Sequence, residues 1–269
     1  VGRERSSRFY PLSLSRREEQ DTLARAIAAH AGNVYARHLL SRLALRNYQR
    51  IANDVARYAA GKRLLDWGAG FGQMAFLLRR RGVRVVAYDY APGQRGLRFG
   101  VTALDASVPL LTSGEPVALP FRDASFDVAL SCGVLEHVGD EAGSLAELRR
   151  VLRPGGLLAI YQLPQQWSYL EFVVRRLRLG YAHPRRYTLR GARRLLAAHG
   201  FRVVRARRAN MLPKTLTGLP PAARRALDIA PGVVLAADRA LAALPGLNQL
   251  AGVLELAAVA TDDGPKPAS

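Results

Sequence analysis

Residues 63–72 read Arg63-Leu64-Leu65-Asp66-Trp67-Gly68-Ala69-Gly70-Phe71-Gly72, and this stretch decides the fold of the chain. An apolar strand (Leu64, Leu65) runs into Asp66 and then into three glycines at alternate positions. An apolar run of helical character, Met74 to Leu78, follows directly. About 20 residues after the first glycine, a second apolar strand (Val83, Val85, Val86, Ala87) ends at Tyr88-Asp89-Tyr90. Strand, glycine turn, helix, strand and terminal carboxylate describe a nucleoside site at the carboxyl edge of a parallel sheet.

The spacing discriminates between ligands. Glycine turns tightly and lets backbone approach a ligand with no Cβ in the way. An ionised carboxylate at the end of the next strand accepts from two ribose hydroxyls at once. A dinucleotide turn wants G-x-G-x-x-G, so that a helix N-terminus meets the pyrophosphate. Here the pattern is G-x-G-x-G, with Gln73 where the third dinucleotide glycine would fall. Asp66 repels a phosphate and suits an ammonium group. A ribose without phosphates and a cationic amino-acid end are the parts of S-adenosylmethionine. On these two segments alone, a glycine turn in another α/β protein remains the alternative.

Residues 114–137 read Gly-Glu-Pro-Val-Ala-Leu-Pro-Phe-Arg-Asp-Ala-Ser-Phe-Asp-Val-Ala-Leu-Ser-Cys-Gly-Val-Leu-Glu-His. That run resembles the class I S-adenosylmethionine-dependent methyltransferases, in its Leu-Pro-Phe, its Ser-Phe-Asp, the strand that follows and its Leu-Glu-His. Leu152-Arg153-Pro154-Gly155-Gly156 is similar to the family's turn into its fifth strand, and His199-Gly200-Phe201 to its entry into the sixth. The resemblance runs from Tyr48 to Ala260 with its motifs in family order. It implies an α/β fold: a Rossmann-like, seven-stranded, mostly parallel sheet with helices on both faces, an N-terminal helical cap and a helical insertion before the last strand.

Carried over residue by residue, the resemblance implies a donor site for S-adenosylmethionine, with S-adenosylhomocysteine as product. Gly68, Gly70 and Gly72 would line its methionine and ribose, with Asp66 beneath. Asp89 would hold the ribose hydroxyls and Tyr90 would flank the adenine. Glu115 and Pro116 fall beside the adenine ring, Glu115 replacing the commoner aspartate. Ser131 and Cys132 end the fourth strand, where a backbone carbonyl accepts from the methionine ammonium. Trp67 departs from the usual small aliphatic residue and is expected to pack under the turn.

Composition sets bounds. The chain has 269 residues, 49% hydrophobic and 23% charged, ordinary values for a globular protein. That length holds one α/β core of roughly 200 residues with appendages. Its single cysteine excludes an internal disulfide and suits a reducing interior. The polar start, Val1 to Arg8, does not look like a signal peptide. The apolar region from Ile229 to Ala260 is broken by Pro231, Asp238, Arg239, Pro245 and Glu255, so no transmembrane helix is expected. A cytoplasmic location follows, or one peripheral to the inner face of a membrane.

The net charge is +19. It reflects either the arginine habit of a GC-rich genome or attraction to an anionic partner. From Arg175 to Lys214 the chain carries thirteen basic residues and no acid. No RNA-binding run or zinc spacing is interleaved with them, which argues against nucleic acid.

Four regions separate. Residues 1–60 are read as an arm and helical cap, with helices over Arg16 to Ala31 and Val34 to Ala59. On the second helix, Arg46 and Tyr48 stand either near the methionine carboxylate or on a solvated face. Residues 62–208 with 253–260 are the core; within it, Asp89 to Gly114 reads as an irregular crossover with a strand at Val108 to Thr112. Residues 209–250 form a helical insertion in which Val233 to Leu244 is apolar on nearly every face, so it should be buried as a lid, dimerised or set against lipid. Residues 261–269 read as a disordered tail.

An activated methyl donor leaves the protein to align the nucleophile and exclude water, and a neutral acceptor must also lose a proton. His137 is the first candidate base, with a structural role as the alternative, and His183 is the second. Trp167, His183, Arg185, Arg186 and Tyr187 are candidates for holding an acceptor, Arg185 and Arg186 through an anionic group. The histidines at 30, 38, 137, 183 and 199 show no metal-ligand spacing, so no metal is expected. The expected activity is methylation of a hydroxyl on a small-molecule, glycan, lipid or quinone acceptor, by a monomer or homodimer. The rivals are an N- or C-methyltransferase of a natural product, and a noncatalytic S-adenosylmethionine-binding module with a basic RNA- or partner-binding surface.

Overall fold

The structure, a computed structural model, describes residues 16–28, 39, 41–178, 182–214 and 221–261. The arm before Arg16, parts of the second helical pattern, Tyr181, and the tail after Thr261 lie outside these.

Two helices, α1 (Arg16–Ala28) and α2 (Arg42–Ala59), precede the sheet. The second begins at Arg42 because Ser41 caps it: its hydroxyl accepts the Ala44 N–H at 3.0 Å. Asp228 adds its carboxylate to the same end, accepting from the Arg42 and Leu43 backbones at 3.0 and 2.8 Å. Strand β1 (Arg63–Trp67) leads through the glycine turn into α3 (Gln73–Arg79) and β2 (Arg84–Tyr90). Then come β3 (Leu97–Val101), β4 (Pro109–Ser113), β5 (Phe126–Cys132), α4 (Glu141–Val151), β6 (Leu152–Pro164), α5 (Tyr169–Leu177), α6 (Leu189–Ala198) and β7 (Phe201–Ala209). Helices α7 (Pro221–Ile229) and α8 (Pro231–Ala243) precede β8 (Val253–Ala260).

The strands form one sheet in the order β3-β4-β2-β1-β5-β6-β8-β7. The pairs β2–β4, β1–β2, β1–β5 and β5–β6 are parallel; β3–β4, β6–β8 and β7–β8 are antiparallel. The expected seven strands are present, plus one. The extra strand is β3, inside what the sequence suggested was an irregular crossover. It pairs antiparallel with β4 at the sheet edge and every residue in it is exposed, so no hydrophobic alternation marks it.

Alternation along β1 divides the core. Leu64 packs with α1, α2 and α3 on one face, whereas Leu65 and Trp67 pack with α4 and α6 on the other. Trp67 is therefore a core residue on the face away from Asp66. Beyond β7, Leu235 of α8 packs on Leu43 of α2, so these helices lean on the N-terminal cap. Helix α8 is buried only at Pro231, Leu235 and Asp238, while Val233 and Leu244 stay exposed. Among the described residues, no helix is long and apolar enough to cross a membrane.

Candidate donor and acceptor site

The glycine turn sits at the carboxyl ends of β1 and β2. Gly68 and Ala69 donate their N–H groups to the Tyr88 carbonyl at 2.9 and 3.0 Å, tying the turn to the next strand. All three glycines have positive φ, for different reasons. A Cβ on Gly68 would meet Val134 at 2.5 Å and one on Gly72 would meet Thr102 at 2.6 Å, whereas a Cβ on Gly70 would point into open space. Gly70 is thus the one of the three with open space beside its Cα.

Asp89 stands opposite. Its carboxylate accepts the N–H of Gly70 at 3.0 Å and that of Tyr90 at 2.9 Å. Burial raises its pKa, and those two N–H bonds oppose the rise. Beneath the turn, Asp66 is 2% exposed and its Oδ2 is buried without a hydrogen-bond partner among the described residues. Burial, then the charge of Asp89, pushes its carboxyl up to about 7. A buried carboxylate with an empty acceptor position is a receptor for a cationic donor, as an ammonium group supplies. The Ser131 hydroxyl, 1% exposed, is likewise unpartnered. Burial, with Asp66 and Glu136 nearby, keeps Cys132 a thiol. Tyr48 is buried rather than solvated; burial raises its pKa, Cys132 and then the carboxylates of Glu136 and Asp66 add to this, and a side-chain hydrogen bond with Gln73 opposes it. The Arg46 Nε is a buried donor without an acceptor among the described residues.

On the adenine side, Tyr90 is 45% exposed and Glu115 and Pro116 are exposed. The Glu115 backbone is fixed by the Ser113 hydroxyl at 3.1 Å and leaves the carboxylate toward solvent.

Past β5, Gly133 and Val134 cross the glycine turn and enter a single helical turn, Leu135–His137. Glu136 is 3% exposed, and burial pushes its carboxyl up to about 7. His137 lies 3.8 Å from Glu136, and its ring centre is 5.9 Å from that of His183. Burial, and then His183, lowers the His137 pKa. One ligating atom each from Glu136, His137 and His183 lies within 4.8 Å of the others, although 46 residues separate the histidines. The missing piece in the sequence reading is Glu171. It occupies the third position of α5, and Ser168, three residues earlier, caps the helix by accepting its N–H at 3.2 Å. Ser-x-x-Glu is a capping-box spacing, but this glutamate turns away from the cap. Its Oε1 lies 2.6 Å from His183 Nδ1 and its Oε2 accepts the His183 N–H at 3.2 Å.

The rest of the His-Pro-Arg-Arg-Tyr run is held by the chain itself. Arg185 donates to the Val138 carbonyl at 2.8 Å and lies 3.7 Å from Glu141. Arg186 reaches the Gln166 carbonyl at 3.4 Å, and the buried Tyr187 hydroxyl bonds Glu141. These contacts pin the run across the end of β6 and present His183 to His137. Trp167 stands apart, 63% exposed.

Known proteins share the fold. Residues 65–160 match the family described as "Methyltransferase domain". The chain is 36% identical over 120 residues to a demethylmenaquinone methyltransferase of Thermus thermophilus, covering 44% of this chain and 54% of that one. It is 42% identical over 119 residues to a malonyl-[acyl-carrier protein] O-methyltransferase of Serratia marcescens, covering 41% and 45%. The matches thus span about half the length of these curated relatives. Among solved structures, the fold matches a SAM-dependent methyltransferase from Thermotoga maritima at a TM-score of 0.55, with 17% identity over 90% of this chain and 99% of that one. It also matches the Burkholderia thailandensis 1,6-didemethyltoxoflavin-N1-methyltransferase, solved with its substrate and S-adenosylhomocysteine, at 0.52, with 21% identity over 95% and 94%. With the glycine turn, Asp66 and Asp89 assembled at the carboxyl edge of a sheet of this order, residues 65–160 carry a methyltransferase domain and the chain has the fold of S-adenosylmethionine-dependent methyltransferases.

Proposed function

We propose that the chain transfers the methyl group of S-adenosylmethionine to a hydroxyl on a quinone-like or lipid-linked acceptor seated against His137 and His183. The observation that carries this reading is the adjacency of two unlike environments. One is the anionic, positive-φ pocket of Asp66, Gly70 and Asp89; the other is the imidazole pair backed by Glu171. In the first, Asp66 would accept from the methionine ammonium and Asp89 from the ribose hydroxyls. In the second, an imidazole takes the proton of the acceptor hydroxyl. S-adenosylmethionine supplies a sulfonium carbon activated for in-line displacement: the new O–CH3 bond forms as the S–CH3 bond breaks and its electron pair stays on sulfur. The likeness to a malonyl-[acyl-carrier protein] O-methyltransferase supports an oxygen acceptor, and the likeness to a demethylmenaquinone methyltransferase supports a quinone-like one. The single cysteine, half-buried and held as a thiol, is in keeping with a cytoplasmic site of action.

The test is to incubate the protein with labelled S-adenosylmethionine and demethylmenaquinone, and in parallel with lipid and polar fractions of source-cell extract. Labelled product is identified by mass. Label is expected in the lipid fraction, on oxygen. Label on carbon or nitrogen would overturn the O-methylation reading. S-adenosylmethionine bound with no S-adenosylhomocysteine formed from any fraction would make the chain a binding module.

A further inference from the structure

Helix α5 has two faces with different occupants. The inward face carries Glu171, 8% exposed and bound to His183. Arg175, one turn on, ion-pairs with Glu171 at 3.8 Å, whereas Phe172 and Arg176, four residues apart, share an exposed face, Phe172 at 68%. Ser168 is the N-cap, so Trp167 and Phe172 hold the N′ and N4 positions, which a helix start brings side by side. Both are large and open to solvent where such a pair usually packs inward. Arg178 ends the helix with a left-handed backbone, and its exposed side chain extends the basic border. No acid follows Glu171 until after Lys214, so nothing in the sequence nearby neutralises this border.

We propose that the exposed face of α5 docks on an anionic lipid surface, with Trp167 and Phe172 entering the headgroup–acyl boundary and Arg176 and Arg178 meeting lipid phosphates. Charge complementarity favours lipid. An arginine border around convex aromatics matches a lipid interface, where apolar side chains enter acyl chains while guanidinium groups stay with phosphate. A protein partner would need a matching apolar groove. This docking does not depend on the methyl-transfer reading. Where that reading also holds, docking brings the acceptor cluster within one helix diameter, about 10 Å, of the lipid surface.

The chain supplies its own probe. Of its two tryptophans, Trp67 is 6% exposed in the core and Trp167 is 63% exposed. The full chain is mixed with vesicles of phosphatidylcholine alone and of phosphatidylcholine with phosphatidylglycerol, and followed by co-sedimentation and tryptophan emission. Binding and a blue shift are expected only with phosphatidylglycerol, and Trp167→Phe should abolish the shift. Arg176→Gln and Arg178→Gln should each weaken binding about five-fold, and Phe172→Gln should weaken it at unchanged circular dichroism. No binding to anionic vesicles at low salt would overturn the proposal. So would equal binding by the arginine variants, or capture of an acidic protein such as acyl carrier protein without vesicle binding. Because no acceptor is added, failure here leaves the methyl-transfer reading to its own assay.

Discussion

Glu171 grips His183 at two points, 2.6 Å from the ring Nδ1 and 3.2 Å from the backbone N–H, so one carboxylate sets both the ring's orientation and the loop that carries it. Burial raises the Glu171 pKa, but its bonds and charge contact with His183 outweigh this and the net shift is downward. The carboxylate is therefore ionised wherever the imidazole can act, and it fixes the tautomer with the proton on Nδ1. Glu171→Gln keeps the shape and loses the charge. Turnover is expected to fall ten-fold or more, on the order of a general-base contribution, with S-adenosylmethionine affinity unchanged. Equal turnover would show that Glu171 only holds the loop.

His137 should sharpen the pH profile. Burial and the neighbouring His183 lower its pKa, so it stays neutral at a lower pH than a free histidine. The acid limb of kcat/KM is expected below the ordinary value of about 6.5. His137→Ala with full turnover on the true acceptor would remove it from the reaction.

Asp66 predicts a pH-dependent affinity. Its folded-state pKa is raised to about 7, so the free protein gains stability from it in the protonated form and loses that as pH rises toward and through 7. A bound ammonium group needs the ionised form. S-adenosylmethionine should therefore bind more tightly, and raise Tm more, at pH 8 than at pH 6. Asp66→Asn should flatten both dependences in calorimetry and thermal melts.

Asp89→Ala removes the acceptor of the Gly70 N–H and, in the proposed donor site, that of both ribose hydroxyls. Two charge-assisted hydrogen bonds at about 1.5–3 kcal/mol each correspond to a loss of at least about 100-fold in affinity. Unchanged affinity by calorimetry would refute the donor-site assignment.

The three glycines should fail in different ways. Any alanine there adopts a left-handed backbone at a cost of about 1–2 kcal/mol. Gly68→Ala and Gly72→Ala also drive a Cβ against Val134 and Thr102, adding ~1–3 kcal/mol. Gly70→Ala meets no atom, so its larger defect should be in S-adenosylmethionine binding. Urea titrations and calorimetry on the three variants separate the two effects.

Glu255 anchors the cap to the sheet. It lies 2.5 Å from Arg50 of α2 and accepts from Arg207 Nε of β7 at 3.0 Å, with Asp54 accepting from the same arginine at 3.1 Å. Burial pushes the Glu255 pKa up, but the two arginines outweigh it and the net value is lowered. Its stabilisation is therefore present above the unfolded value of about 4.3 and lost as pH falls through the lower folded value. Glu255→Gln leaves two half-buried guanidinium groups with Asp54 as their remaining carboxylate and should cost about 1.5–3 kcal/mol at pH 7. The gap to the unaltered protein should close on acidification.

What the sequence by itself determined is the donor half. Gly68, Gly70, Gly72 and Asp89 lie within 22 residues, and each is recognisable because one backbone conformation or one strand end demands that residue type. The seven-stranded, mostly parallel sheet was legible through the resemblance, whereas β3 was not, because its exposed residues carry no alternation for a core to impose. Only the tertiary structure brought together the residues of the proposed acceptor half. His137, Glu171 and His183 sit on a turn, a helix and a loop, and the glutamate reads as a helix cap until the fold carries His183 against it. The fold also gave Arg185, Arg186 and Tyr187 partners within the chain and turned Trp167 outward. The physical reason is the same throughout. A site made of backbone is encoded by neighbours in sequence, whereas a site made of side chains from separate elements exists only once packing has set their distances.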